Sequence, residues 1–249
     1  MTTSEADRCS APYRVRFDEG GPDGLVRTSV LLRYTQDLAG YHSSVRGFVR
    51  DWYAERGIAW LVRAAEVAVL GPIPVGTELV GTTQVVGWRR VWARRRTEFH
   101  DADGARLAWV HIDWVLVDAR GAPARIPPEF AAFGAPAATF RLGRVDLEEA
   151  PPDAKRLALA VRPQELDPMD HVNNAVYADW LEEAVLASGG ADAVRAPQRL
   201  VRLEYARAAE PAAALVASAW QADDGWSCSV TDADGELLRA RLEAITSPR

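Results

Sequence analysis

Residues 166–184 read Leu-Asp-Pro-Met-Asp-His-Val-Asn-Asn-Ala-Val-Tyr-Ala-Asp-Trp-Leu-Glu-Glu-Ala. This stretch brings together three tools for attacking or polarising a carbonyl. Asp167 offers a carboxylate four positions before the imidazole of His171. Asn173 or Asn174 can cap a helix, because the amide oxygen accepts from a free backbone N–H of the first turn. Val176, Tyr177, Trp180, Leu181, Ala184 and Val185 then recur at helical spacing and predict one apolar face, on a helix over roughly Ala175–Ala187. Pro168 fixes its own φ and disfavours helix at Asp167, so the acid belongs to a loop or a strand end. The unpaired N–H groups of the first turn point back at that loop. They favour negative charge, including the oxyanion of an ester or thioester under attack. Each residue alone has an ordinary structural use as turn or cap; the whole string is what points to chemistry.

The elements that must position this loop fall into two halves. Asp-Ala-Asp-Gly occurs at Asp101–Gly104 and again at Asp232–Gly235, each time between extended segments, which is a hairpin signal. Each half reads strand, loop, helix, then several strands. The first helix is expected over about Val30–Val45. Strands are expected over Ile58–Leu70, Glu78–Val86, Arg94–Phe99 and Arg106–Val117. The second half offers Leu200–Tyr205, Ala213–Ala222, Trp226–Thr231 and Glu236–Ile245. Residues 119–155, rich in Ala, Pro and Gly, read as the connection. The expected domains are therefore 1–140 and 141–249, and repetition of a supersecondary unit is the stronger claim.

Composition narrows the function classes. A net charge of −6 argues against general nucleic-acid binding. Cys9 and Cys228 are too few for a disulfide framework, and His42, His100, His111 and His171 lack paired metal spacing. No cofactor or metal is expected. No Gly-rich phosphate loop and no Gly-x-Ser-x-Gly elbow occurs, which disfavours an α/β-hydrolase. Without a signal-peptide-length apolar run, a plastid-type presequence or a membrane-spanning stretch, a cytoplasmic protein with no membrane or nucleic-acid partner is expected.

Leu166–Tyr177 strongly resembles the hot-dog thioesterase signature: an Asp, a short spacer, then His-Val-Asn-Asn-x-x-Tyr. Within that superfamily the chain looks most like the acyl-acyl-carrier-protein thioesterases, with two hot-dog domains in one polypeptide. Residues 13–45, Gly57-Ile58-Ala59-Trp60, Trp114–Asp118 and Leu203-Glu204-Tyr205 carry the similarity over most of the chain. The resemblance implies an α+β fold: two tandem hot-dog domains forming an intramolecular pseudo-dimer, with a continuous antiparallel sheet and two central helices. It implies hydrolysis of fatty acyl-carrier-protein thioesters in fatty acid and lipid metabolism, with acyl carrier protein or a CoA thioester as partner. A monomeric pseudo-dimer is expected, with further homodimerisation left open.

The family's site is an Asp, an Asn two residues on, a His two further, and a Glu in a later strand. The Asp falls on Asp167 and the His on His171. Met169 stands at the Asn position and Ala208 at the Glu position, so the four-residue mechanism is incomplete. Glu210 lies nearby but is not assigned that role. The motif is also similar to the simpler 4-hydroxybenzoyl-CoA type, which works with one acid and a helix N-terminus. The expected catalytic residues are Asp167 and His171, with Asn173 and Asn174 shaping the substrate site. The first half lacks the motif: Phe17–Gly24 has acids but no nearby His, so one site per chain is expected, with the acyl pocket in the first half. Acyl-CoA or polyketide-type hydrolysis, and non-catalytic acyl-thioester binding, are the alternatives.

A second feature is Trp88–Arg96, with five arginines in nine residues. On a strand Arg90, Trp92, Arg94 and Arg96 share one face. Arg94 and Arg95 are expected to dock an acidic carrier protein or pantetheine phosphates, against the alternative of a solvated sheet face. Trp52, Trp60, Trp88, Trp92, Trp109 and Trp114 either fill the core or line an acyl pocket.

Overall fold

A computed structural model describes residues 7–134, 136, 137, 139, 141–223 and 225–245. The first half runs β1 (Arg8–Arg14), α1 (Thr28–Val45), α2 (Arg50–Glu55), β2 (Ile58–Val69), β3 (Glu78–Arg89), β4 (Trp92–His100) and β5 (Arg106–Asp118). The second runs β6 (Lys155–Ala160), α3 (Val176–Ala187), α4 (Ala191–Val194), β7 (Arg199–Tyr205), β8 (Ala214–Ala222), β9 (Gly225–Asp232) and β10 (Gly235–Ala244). All ten strands join one antiparallel sheet in the order β1-β3-β4-β5-β2-β7-β10-β9-β8-β6. Read outward from its centre, each half repeats the same order, so the duplication is visible in the topology. This is the double hot-dog expected from the sequence.

The seam is β2 against β7, paired from Ala64↔Glu204 to Val69↔Arg199. Alternating apolar positions on these strands point to one face. There α1 and α3 lie, burying Leu31, Leu32 and Leu38 from one helix and Val176, Tyr177, Trp180, Leu181, Ala184 and Val185 from the other. The helices also meet across the seam. Thr28 Oγ1 donates to Glu182 Oε1 at 2.6 Å, and Arg33 faces Asp179 at 3.5 Å. Glu182 therefore looks toward α1 instead of sitting on an open polar face. Burial pushes its carboxyl above the usual range, against the pull of Arg199.

Both Asp-Gly turns form as expected. Asp101 Oδ1 accepts from Asp103 and Ala105 N–H at 3.0 and 2.8 Å, and Asp232 Oδ1 accepts from Asp234 N–H at 2.8 Å. The connection is held on the opposite face of the sheet. Buried Asp113 of β5 accepts from Gly143 N–H at 2.7 Å, and buried Glu204 of β7 accepts from Val145 N–H at 2.9 Å. One carboxylate from each half thus pins a segment that has little secondary structure of its own.

Candidate active site

The loop before α3 is built by its own main chain. Leu166 and Val172 form an isolated antiparallel bridge, with Asp167 N–H donating to His171 O at 2.7 Å and Asn173 N–H to Glu165 O at 2.8 Å. Between them Asp170 takes a left-handed backbone at φ 60°, a conformation Asp tolerates better than most residues. Asp167 Oδ1 accepts from Met169 N–H at 2.8 Å and from His171 N–H at 3.3 Å, an Asx turn that fixes the carboxyl plane. Its other oxygen, Oδ2, has no donor among the described residues.

The cap differs in detail from the sequence expectation. The helix proper begins at Val176, behind Ala175, which makes no side-chain cap. Asn173 does the equivalent work one turn earlier: its Oδ1 accepts from Ala175 N–H at 2.9 Å and its main-chain oxygen from Val176 N–H at 2.9 Å. Its Nδ2 donates to Gln36 Oε1 of α1 at 3.2 Å, tying the loop to the other half. The main-chain oxygen of Asn174 accepts from Tyr205 Oη at 3.0 Å. Its backbone N–H has no acceptor among the described residues and is the donor the helix start presents.

Asp167, Met169, His171, Val172 and Asn174 form one wall of a cavity of about 140 Å³. Tyr177, Tyr205, Ala206, Arg207 and Ala208 form a second wall, and Trp60, Leu61, Val62 and Arg63 of β2 a third. The site therefore draws on both halves. The expected pair Asp167 and His171 is brought together here with Asn174, while Asn173 supports from behind. Met169 is 49% exposed and Ala208 is exposed, so no amide or carboxylate occupies the positions where the similar family has Asn and Glu. Glu210 lies outside this lining. The His171 ring has no hydrogen-bond partner among the described residues.

Of the polar lining residues, Arg63 and Arg207 were not singled out from the sequence, and Trp60, Tyr177 and Tyr205 were named there without being assigned to the site. Tyr205 lies in the Leu-Glu-Tyr strand and Tyr177 ends the His-Val-Asn-Asn-x-x-Tyr string, so a signal existed for both. Arg63, which donates to Ala206 O at 2.6 Å, comes from the other half, where no local pattern marks it, and Trp60 of the same strand is one of the tryptophans expected in the core or an acyl pocket. Arg207 pairs with Asp232 at 2.5 Å. Burial lowers the pKa of the Arg63 guanidinium and raises that of the Tyr177 phenol to about 12.

The equivalent loop of the first half has the same backbone frame with other side chains. Gly20 bridges Val26, Gly21 N–H donates to Leu25 O at 2.8 Å, and Arg27 N–H to Glu19 O at 3.2 Å. These bonds repeat those of the second loop one for one. Gly21 stands where Asp167 stands, Leu25 where His171 stands, and Gly24, at φ 75°, where Asp170 stands. The scaffold survives without its acid or its imidazole. Val15-Arg16-x-x-Glu19 against Val161-Arg162-x-x-Glu165, each followed by Pro three residues on, was the sequence signal for this repeat.

The arginine run is divided between the two faces of β4. Arg95 is buried, 6% exposed, with Nη1 2.8 Å from Nδ1 of buried His42 and its guanidinium 5.8 Å from the Phe133 ring. Arg94 faces the other way and holds Asp113 through two bonds of 2.6 and 2.7 Å. Arg95 cannot present charge to a protein partner from that position, which corrects the expectation for it, whereas Arg94 holds Asp113 with its side chain 32% exposed. Trp60 and Trp52 pack with Phe48, Phe130 and Phe133 in a separate aromatic cluster, so Trp60 belongs both to that cluster and to the cavity wall. Among the described residues no cluster of His, Cys, Asp or Glu could hold a metal ion, and no helix is long and apolar enough to cross a membrane.

Comparison with known proteins agrees with this fold. Residues 7–133 match the sequence profile of the acyl-ACP thioesterase N-terminal domain, and residues 148–216 that of its C-terminal domain. No curated protein sequence matches the chain. Among solved structures, a 12:0-ACP thioesterase from Umbellularia californica superposes with a TM-score of 0.79 at 23% identity, covering 98% of both chains. An acyl-ACP thioesterase from Bacteroides thetaiotaomicron superposes with a TM-score of 0.80 at 16% identity, covering 97% of this chain and 99% of that one.

Proposed function

The chain belongs to the acyl-ACP thioesterase family and is a thioester hydrolase; from that premise we propose that it releases fatty acids from acyl carrier protein, using Asp167. The observation that carries the site is the pairing of a free carboxylate oxygen with a free backbone N–H in one cavity. Asp167 Oδ2 takes a proton from water while the water oxygen attacks the thioester carbon. The carbonyl oxygen, becoming negative, is held by Asn174 N–H at the helix start. Collapse of the tetrahedral intermediate breaks the C–S bond, and the thiolate leaves and is reprotonated. The same Oδ2 could instead attack the carbonyl and form an anhydride. Label found in Asp167 after a single turnover in ¹⁸O-water identifies an anhydride opened at the aspartyl carbon, which the general-base route cannot produce.

On this reading residues 141–249 supply the acid and residues 1–140 the acyl pocket, with the aromatic cluster at Trp60 as its wall. His171 lines the site and orients the bound thioester. The reaction belongs to fatty acid metabolism in the cytoplasm. A second reading, an acyl-CoA substrate, is favoured by Met169 and Ala208, which leave a site like that of the simpler CoA-type enzymes. A panel of acyl groups of graded length, each carried on acyl carrier protein and on CoA, tests both. A higher kcat/KM for the carrier-bound series supports the first reading; a higher value for the CoA series overturns it.

A further inference from the structure

Tyr177 sits in the first turn of α3 and is 1% exposed, yet it is part of the cavity wall. Its ring is fixed on two sides, edge-on to Tyr205 at 5.3 Å between centroids and against Trp180 at 4.8 Å. Its Oη accepts the N–H of Ala209 at 2.7 Å. A phenol has one proton to give as well as lone pairs to offer. Tyr205 gives its proton to Asn174 O. The Tyr177 proton has no acceptor among the described residues. A buried donor left without a partner is costly, and the open volume beside this residue is the cavity it lines. A phenol is protonated at neutral pH, and burial pushes the pKa of this one up further, to about 12.

We propose that Tyr177 is a catalytic residue: its hydroxyl donates a hydrogen bond to the thioester sulfur as the C–S bond breaks. This rests on the functional reading above and extends it to the leaving group. The carboxylate of Asp167 and the N–H of Asn174 share one wall and take the attacking water and the carbonyl oxygen. Tyr177 belongs to the second wall, and its Oη is anchored just behind that wall by Ala209 N–H, next to Ala208. Arg207, in the same wall, keeps its side chain 38% exposed while it pairs with Asp232. Tyr177 keeps its proton throughout, because the phenol is less acidic than an ordinary thiol. The proton that ends on sulfur is the one Asp167 took from water, so the balance is thioester plus water to acid plus thiol. The hydroxyl stands beside Ala208, where the similar family has Glu, and supplies a polar group that position lacks.

The test compares two thioesters of one acyl group, an alkyl thioester with a poor leaving group and an aryl thioester with a good one. Stabilising the departing sulfur matters only when the thiolate is a poor leaving group. Tyr177→Phe should lower kcat for the alkyl thioester roughly tenfold to a hundredfold, and for the aryl thioester less than about threefold. Equal losses on both, or no loss, would overturn the proposal, since a packing defect does not sense the leaving group. Phe leaves Ala209 N–H without its acceptor, so replacement of Tyr177 by 3-fluorotyrosine serves as the second variant. It keeps the oxygen and acidifies the hydroxyl. It should raise the alkyl rate and leave the aryl rate unchanged; an unchanged alkyl rate counts against the proposal. If the wild-type protein turns over neither thioester, the functional reading itself fails, whatever Tyr177 does.

Discussion

Replacing Asn173 by Ala removes two contacts from the Asp167–Asn174 loop without touching the proposed reacting groups. The first is the 2.9 Å bond from Ala175 N–H to Asn173 Oδ1, a helix-start bond worth about 1 kcal/mol. The second is the 3.2 Å bond from Asn173 Nδ2 to Gln36 Oε1, which joins the loop to α1 and is worth about 0.5–1.5 kcal/mol. Together the loss is about 1.5–2.5 kcal/mol. At about 2–4 °C per kcal/mol for a chain of this size, Tm should fall by roughly 3–10 °C. The Asn174 N–H is one residue from the lost cap, so a small displacement should lower kcat/KM about tenfold or more. Asn173→Asp keeps the oxygen but not the donor, and separates the two bonds. A double-mutant cycle with Gln36→Ala isolates the second, with an expected coupling of about 0.5–1 kcal/mol. Thermal denaturation and initial rates on one thioester are the assays. A variant with wild-type Tm and wild-type kcat/KM would refute the claim that Asn173 positions the loop.

Two further perturbations probe the frame. Asp170 holds φ 60°, as Gly24 holds 75° in the first half. Asp170→Gly should therefore leave activity intact and stability within about 1 kcal/mol, whereas Asp170→Val should cost about 1–3 kcal/mol in chemical denaturation. Burial, with the charges of Arg95 and Arg46 behind it, pushes His42 down to about 4 from its ordinary value. The unfolded chain then takes up the proton more readily than the folded one. Stability is complete above about pH 6.5 and falls as pH drops through about 4, by on the order of 3 kcal/mol. His42→Gln, which still accepts from Arg95, should flatten the pH dependence of unfolding in that window.

The Asp167–Asn174 loop was legible because its bonds are local. Asp167, Pro168, Asn173 and the helical run after them dictate a turn and a helix start within one short stretch. The duplication was legible because both halves repeat strand, loop and helix. Contacts between distant segments were not. Arg63 and Trp60 reach the cavity from β2, and Asp113 and Glu204 capture a connection whose own composition says only that it is not sheet. The helix Arg50–Glu55 is too short to show a period, and its Trp52 and Tyr53 are only half-buried. Lys155–Ala160 is an Ala-rich edge strand whose Leu157 and Leu159 are its only strong pattern. Arg95 misled because a charged residue suggests surface. Its phase suggests otherwise, since Ala93, Arg95, Thr97 and Phe99 alternate inward together.

The central claim is that thioester hydrolysis passes through the carboxylate of Asp167. Asp167→Asn keeps Oδ1 for the two N–H groups of Met169 and His171 and removes only the charge at Oδ2. The account predicts a folded protein with Tm within a few degrees of wild type, and kcat on an acyl-carrier-protein thioester lowered about 10²–10⁴-fold. A folded Asp167→Asn protein with kcat within tenfold of wild type would contradict it.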